Sequence, residues 1–188
     1  MQKANNTGEK MGTITYVPLT RENCTVSALD TFELYQVVQK CWRRINGALV
    51  LIDHPYIEDL TLKERRAVAR QILAAIDGGA AAQGAFLNNT LIGFAFLDAA
   101  LFGKTARYLD LVMLYVSRPF RNHGIGKTLF RRICAAAKGC GAEKLYISAN
   151  SSMETQGFYR SVGCVEATEL NQVLANQEPC DIQMEYIL

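Results

Sequence analysis

One run limits what this chain can become. The apolar segment LDLVMLYVS, Leu109 to Ser117, is followed by Arg121-Asn122-His123-Gly124-Ile125-Gly126-Lys127-Thr128-Leu129-Phe130. From Ile125 to Lys138 apolar residues then recur at helical spacing, with Ile125, Leu129, Ile133 and Ala137 on one face. That order predicts a strand, an anion-sized loop and a helix. Gly124 and Gly126 put no Cβ in the path of a ligand approaching the backbone. The amides of such a turn, with the free N–H groups of the first helical turn, face an anion, and Arg121, His123 and Lys127 add donors around the same point.

Two other phosphate loops compete for this run, and spacing excludes both. A Walker A loop needs a Gly where Arg121 stands, although Gly126-Lys127-Thr128 supplies its end. A dinucleotide fingerprint needs a third Gly where Leu129 stands. What remains is R-x-x-G-x-G between a strand and a helix. Charge agrees with an anionic ligand. Between Leu111 and Ala142 there are six Lys and Arg (118, 121, 127, 131, 132, 138) and no Asp or Glu. The whole chain is only +2, so the remainder is net acidic. A basic window of this size suits a polyanionic small molecule, whereas nucleic acid needs a wider basic surface. In this setting the run resembles the coenzyme A pyrophosphate loop of the GNAT family of N-acetyltransferases.

At 188 residues, 49% hydrophobic and 20% charged, the chain reads as one ordinary globular domain over residues 13–188. Residues 1–12 are polar, carry no signal-peptide core, and are expected to be a frayed tail in which Met11 is an alternative start. No apolar run approaches the ~20 residues of a membrane span. The six cysteines (24, 41, 134, 140, 164, 180) show no C-x-x-C pair and no zinc spacing. They are read as thiols in a reducing cytoplasm, and no metal site is expected.

Along the chain, Thr13–Pro18 reads as a first strand. Leu34, Val38, Cys41 and Ile45, behind a Ser27/Asp30 capping box, predict a helix from about 28 to 44. Gly47–Leu60 reads as irregular, with a turn at His54-Pro55. Thr61 and Glu64 form a second capping box opening a helix that runs to Gly78-Gly79. Strands are expected near Gly84–Leu87 and Thr90–Asp98, joined at Asn88-Asn89, a two-residue hairpin signal. Arg107–Ser117 is the long central strand. After the Ile125–Lys138 helix come a strand at Lys144–Ala149 and a short helix capped by Ser151 and Glu154. Strands near Val165–Glu169 and Ile182–Ile187 close the chain. This order resembles the GNAT fold, of class α/β (α+β). The resemblance implies a mixed, mostly antiparallel sheet of about seven strands with about four helices.

SANSSMETQGFYRSVGC, Ser148 to Cys164, is the second segment that carries the resemblance. The family form is Asn-x-x-Ala-x-x-Phe-Tyr, then a helix stop and Gly. Phe158-Tyr159 and Gly163 match in register. Ser152 stands at the usual Asn position and Thr155 at the usual Ala, while Asn150 lies two residues upstream, so either Asn150 or Ser152 is the coenzyme contact. The resemblance implies that Tyr159 is the general acid beside the thioester sulfur. It also implies that acetyl-CoA, as co-substrate, is bound by Leu114, Tyr115 and Val116 on the strand, and by Arg121, Asn122, His123, Gly124, Ile125, Gly126, Lys127 and Thr128 in the loop and helix start. Phe158 completes the set with Asn150 or Ser152.

Asp110 shares a strand face with Val112, Leu114 and Val116 by alternation. It resembles the position of the family's catalytic Glu and is either the base for the amine or a charge that holds the substrate ammonium. Glu33, Tyr56, Glu58 and Asp59 fall in the region expected to form the acceptor wall. The function implied is acetyl-CoA-dependent transfer to the amine of a small molecule, without metal, nucleic acid or membrane, and with a homodimer allowed. A non-catalytic acyl-CoA-binding module, a longer acyl group, an alcohol acceptor and a protein or peptide acceptor are the alternatives.

Overall fold

A computed structural model describes residues 12–188; apart from Gly12, the expected tail lies outside the described residues. In chain order the elements are β1 (Thr15–Pro18), β2 (Gln36–Ile45), β3 (Ala48–Glu58), α1 (Leu62–Asp77), β4 (Ala82–Leu87), β5 (Thr90–Leu97) and β6 (Tyr108–Val116). They continue as α2 (Ile125–Gly139), β7 (Lys144–Ala149), α3 (Met153–Ser161), β8 (Val165–Glu166), α4 (Gln172–Gln177) and β9 (Ile182–Ile187). A 3-10 turn at Arg118–Phe120 follows β6.

Seven strands form one sheet in the order β1-β4-β5-β6-β7-β9-β8. All neighbours are antiparallel except β6 and β7. Strand β5 reads as a continuous apolar run because both its faces are covered. Phe94 and Phe96 enter a core under α1 with Val68, Ala69, Ile72 and Leu73. Ala95 and Leu97 enter the opposite core under α2 with Ile125, Leu129, Ile133 and Ala137. Those four α2 residues are the ones the helical periodicity singled out, and all are at most 1% exposed. Fully burying such a leucine or isoleucine stabilises the fold by about 1.5–3 kcal/mol.

Two expectations fail, both in residues 28–60. There is no helix at 28–44. Residues 20–32 make short turns, such as Ala28 N–H to Thr25 O and Phe32 N–H to Leu29 O. The chain then enters β2, which pairs with β3 in a separate two-stranded ribbon. The segment read as irregular is therefore a strand, and it runs through His54-Pro55. The register shifts between Val38 and Lys40, so that His54 and Pro55 stand opposite Gln39 alone. A bulge tolerates the proline, which has no N–H to offer the ladder. It also accompanies inward positions three residues apart, Val38 and Cys41, a spacing that copies a helix. Asn46-Gly47, with φ of 51° and 83°, closes this ribbon as a two-residue hairpin.

Smaller corrections follow in the last third. Ser152, not Ser151, caps α3 by accepting from Thr155 N–H. The strand expected to reach Glu169 stops at Glu166. Helix α4, capped by Asn171 through Val173 N–H and Leu174 N–H, went unread.

Candidate active site

The site originates in a strand pair that separates. Strand β6 pairs with β7 only through Tyr108–Asp110. From there to Val116 it remains bonded to β5 alone, while β7 stays paired with β9. The closed end is locked by the buried Glu185 carboxylate, which accepts from Tyr108 Oη at 2.6 Å and Lys144 Nζ at 2.8 Å. Beyond Asp110 the strands diverge around a cleft of about 1210 Å³. Leu114, Tyr115 and Val116 line it along the unpaired edge of β6.

The phosphate-loop end is shaped by backbone. Gly124, at φ 78°, is the N-cap of α2 with no side-chain cap. Thr128 N–H is the first in α2 with an intrahelical acceptor, Gly124 O at 3.0 Å. The N–H groups of Ile125, Gly126 and Lys127 ahead of it are therefore available to an anion. Gly126 also packs against Phe158, where a Cβ would come within 3.2 Å of the ring. Asn122, Gly124, Gly126 and Lys127 line the cleft. His123 is exposed beside it, Ile125 is in the core, and Thr128 turns its hydroxyl back to Gly124 O at 3.1 Å.

Arg121 lines the cleft too, but much of its guanidinium is committed. Nε donates to Val116 O at 3.0 Å, Nη1 to Tyr35 O at 3.2 Å and Nη2 to Leu34 O at 3.0 Å. With Arg118 over the Tyr35 ring, this ties the loop to the segment entering β2. Arg132 reaches the Tyr16 carbonyl instead. Of the six cations in the basic window, Arg121 and Lys127 are the two that line the cleft.

At the fork sit the two residues singled out for chemistry. Tyr159, 7% exposed, lines the cleft, and its ring meets Phe130 and Phe158 edge-on. Burial drives its phenol far above the ordinary tyrosine range, with Cys164, Tyr115 and Asp110 adding to the effect. Asp110 lines the cleft with one carboxylate oxygen buried and unpartnered. Burial, then the neighbouring Asp98, push its carboxyl up to about 7. The alternatives at α3 separate in space. Asn150 lines the cleft, its Oδ1 accepting from Ser152 N–H at 2.8 Å and Tyr56 Oη at 3.3 Å. Ser152 is fully buried and caps the helix.

The opposite wall is only partly the one expected. Glu58 lines the cleft and accepts weakly from Tyr115 Oη at 3.4 Å. Tyr56 reaches it through Asn150, while Glu33 is bound by its backbone to Ser117 and Arg118, and Asp59 accepts from Leu60 N–H. Glu178 and Asp181, after α4, also line the cleft and were missed. No motif surrounds them, and only the Asn171 cap signals the helix that positions them. No group of three or more His, Cys, Asp or Glu among the described residues is arranged to hold a metal ion.

A forked sheet with an open helix N-terminus at one arm can take a ligand that is anionic at one end and extended along the free strand edge. Residues 33–164 match the model of the Acetyltransferase (GNAT) family, and the chain belongs to that family. Among solved structures it is similar to nourseothricin acetyltransferase, at 16% identity and a TM-score of 0.68, over 93% of this chain and 98% of that one. It is also similar to the PaiA N-acetyltransferase of Thermoplasma acidophilum in complex with coenzyme A, at 18% identity and a TM-score of 0.58, over 94% and 99%. A GNAT family acetyltransferase of Elizabethkingia anophelis with acetyl-CoA bound shares 18% identity and a TM-score of 0.56, over 93% and 98%. No curated protein sequence matches the chain.

Proposed function

We propose that this protein transfers the acetyl group of acetyl-CoA directly to an amine of a small-molecule acceptor. The observation that carries this reading is the convergence of three features on one cleft: the unpaired edge of β6, the open N-terminus of α2, and the Asp110–Tyr159 pair at the fork. Pyrophosphate charge suits the free amides of α2 and Lys127. The pantetheine chain suits the free edge of Leu114–Val116, where an N–H that faces the cleft can polarise the thioester carbonyl.

In the reaction the neutral amine nitrogen bonds to the thioester carbon, the C–S bond breaks, and the electron pair leaves on sulfur. The amine arrives protonated and must lose that proton. A carboxyl at about 7 is matched to this task near neutral pH. Tyr159 is a different case. A phenol so far above its usual range does not give up its proton to a thiolate, so its contribution is a hydrogen bond to the leaving sulfur. The name of nourseothricin acetyltransferase, the neighbour with the TM-score of 0.68, supports a small acceptor. All six cysteines are unpaired, which supports a reducing, cytoplasmic setting. Free-thiol release from acetyl-CoA against a panel of amines tests the reading: release with one amine class supports it, and none with any amine overturns it.

A further inference from the structure

The two ends of the cleft carry opposite charge. Arg121 and Lys127 line the phosphate-loop end, whereas Glu58, Glu178 and Asp181 line the wall built by β3 and the α4–β9 connection. None of these three carboxylates takes part in a salt bridge among the described residues. The Asp181 carboxyl is pushed up to about 6 by burial, then by Glu178 and Glu58. The nearby cation, Arg43, spends Nη1 on Trp42 O and Ser151 Oγ. Glu58 and Asp181 are partly buried and Glu178 is exposed, and like charges left without a counter-charge in a cleft cluster where one binds. The same cleft holds the buried, unpartnered Asp110 oxygen and the 7%-exposed Tyr159. These carboxylates are spread along the wall and not gathered at one point, so the negative charge they present suits a cation that extends along the cleft.

We propose that the acceptor is a small molecule with at least two amino groups, one acetylated beside Asp110 and another held as ammonium by Glu58, Glu178 and Asp181. This rests on the acetyl-transfer reading for the first nitrogen. The second nitrogen is a specificity contact that stays charged throughout. The arrangement selects against monoamines, which leave the acidic wall unpaired, and against acidic acceptors, which it repels.

The test compares polyamines with monoamines: spermidine against butylamine, and a multi-amino aminocyclitol against a cyclitol of the same ring with one amino group. At least one polyamine is expected to show a KM about tenfold or more below its partner, the size of a charge-assisted hydrogen bond. Glu178→Gln with Asp181→Asn should raise that KM by about tenfold and bring the ratio of monoamine to polyamine KM close to one. Because the double variant removes repulsion, it should melt no lower than wild type, so misfolding cannot supply the result. Equal use of mono- and polyamines, or a double variant that changes both alike, overturns the proposal while acetyl transfer stands. Calorimetry of spermidine and the aminocyclitol against the coenzyme A-bound protein separates the two readings. Carboxylate-dependent binding without thiol release would keep the charge proposal and remove the acetyl-transfer reading.

Discussion

The two walls of the cleft are made by opposite means. The phosphate-loop wall is contiguous: β6, Arg121–Lys127 and α2 follow one another within about thirty residues, and the start of α2 leaves backbone amides free. The acceptor wall is assembled from β3, α3 and the α4–β9 connection, and side-chain carboxylates give it its character. A wall of backbone at a helix N-terminus can serve only an anion, whatever its side chains. A wall of side chains on a ribbon and a loop can change its ligand with a few substitutions. One wall therefore reports the family and the other reports the acceptor.

If the loop wall acts through its backbone, Gly124→Glu should have the largest effect of any single change. Its Cβ meets no atom within 4 Å, so the fold tolerates the volume, although φ of 78° adds local strain. The carboxylate would stand where phosphate charge belongs, and like charges so placed cost several kcal/mol, roughly a thousandfold in acetyl-CoA affinity. Calorimetric titration measures it, and a folded variant with wild-type affinity would break the comparison at its first term. Next in size is Tyr159→Phe. The ring and its packing stay, and the hydrogen bond proposed to the leaving sulfur goes, so single-turnover acetyl transfer should slow by roughly a hundredfold with acetyl-CoA affinity unchanged. A Phe variant with the wild-type single-turnover rate would reduce Tyr159 to a packing residue.

The same contrast decides what the sequence makes legible. Strand, loop and helix over 108–139 are readable because short-range physics fixes each: a near-continuous apolar run, a glycine turn and a 3.6-residue period. The Thr61/Glu64 capping box and the Asn88-Asn89 hairpin are readable for the same reason, and both stand in the structure. The ribbon over 36–58 misleads because its inward residues Val38 and Cys41 stand three apart across a register shift, a spacing that outweighs the hairpin signal of Asn46-Gly47. Glu178 and Asp181 are illegible for a deeper reason. Isolated acidic residues near a short helix look like solvated surface until the fold sets them opposite Glu58, more than a hundred residues earlier. Arg121 is an intermediate case, since its position in the loop was readable and its three bonds to backbone carbonyls were not.

Asp110 belongs to neither wall, and its titration sharpens the boundary between them. With its carboxyl at about 7, kcat/KM should rise with pH through that value as the base ionises. Asp110→Asn should lower it by about tenfold at pH 8, with water still able to carry the proton, and by much less at pH 5, where wild type is itself protonated. If Asp110 only binds ammonium, KM rises instead and kcat holds. Stability moves the other way. The folded protein keeps this proton up to about 7, whereas the unfolded chain releases it near the ordinary 3.8. Native stability therefore falls as pH rises between those values, and the Asn variant escapes that loss. It should be more stable than wild type at pH 8, by up to a few kcal/mol, and equal to it near pH 3. A variant melting below wild type at pH 8 would mean that the carboxylate is well solvated after all.

The smallest effect asks whether the two walls are separable. Gly47 turns the β2–β3 ribbon at φ 83°, and a Cβ there would meet nothing within 4 Å. Gly47→Ala therefore carries the strain of a left-handed alanine and little else, about 1 kcal/mol, read as a lower denaturant midpoint with an unchanged slope. The ribbon docks on the segment just ahead of α3 through Trp42 N–H to Ser151 O at 2.8 Å and carries Glu58 at its far end. Acetyl-CoA affinity and acceptor KM should both stay within about twofold of wild type if the turn only closes the ribbon. The route by which they would not is visible: Arg121 holds Leu34 O and Tyr35 O immediately before β2, so ribbon and phosphate loop share a side chain. A fall in acetyl-CoA affinity in Gly47→Ala, with Arg121→Lys reproducing it, would show that strain in the acceptor wall reaches the loop through this clamp, and that the two walls act as one.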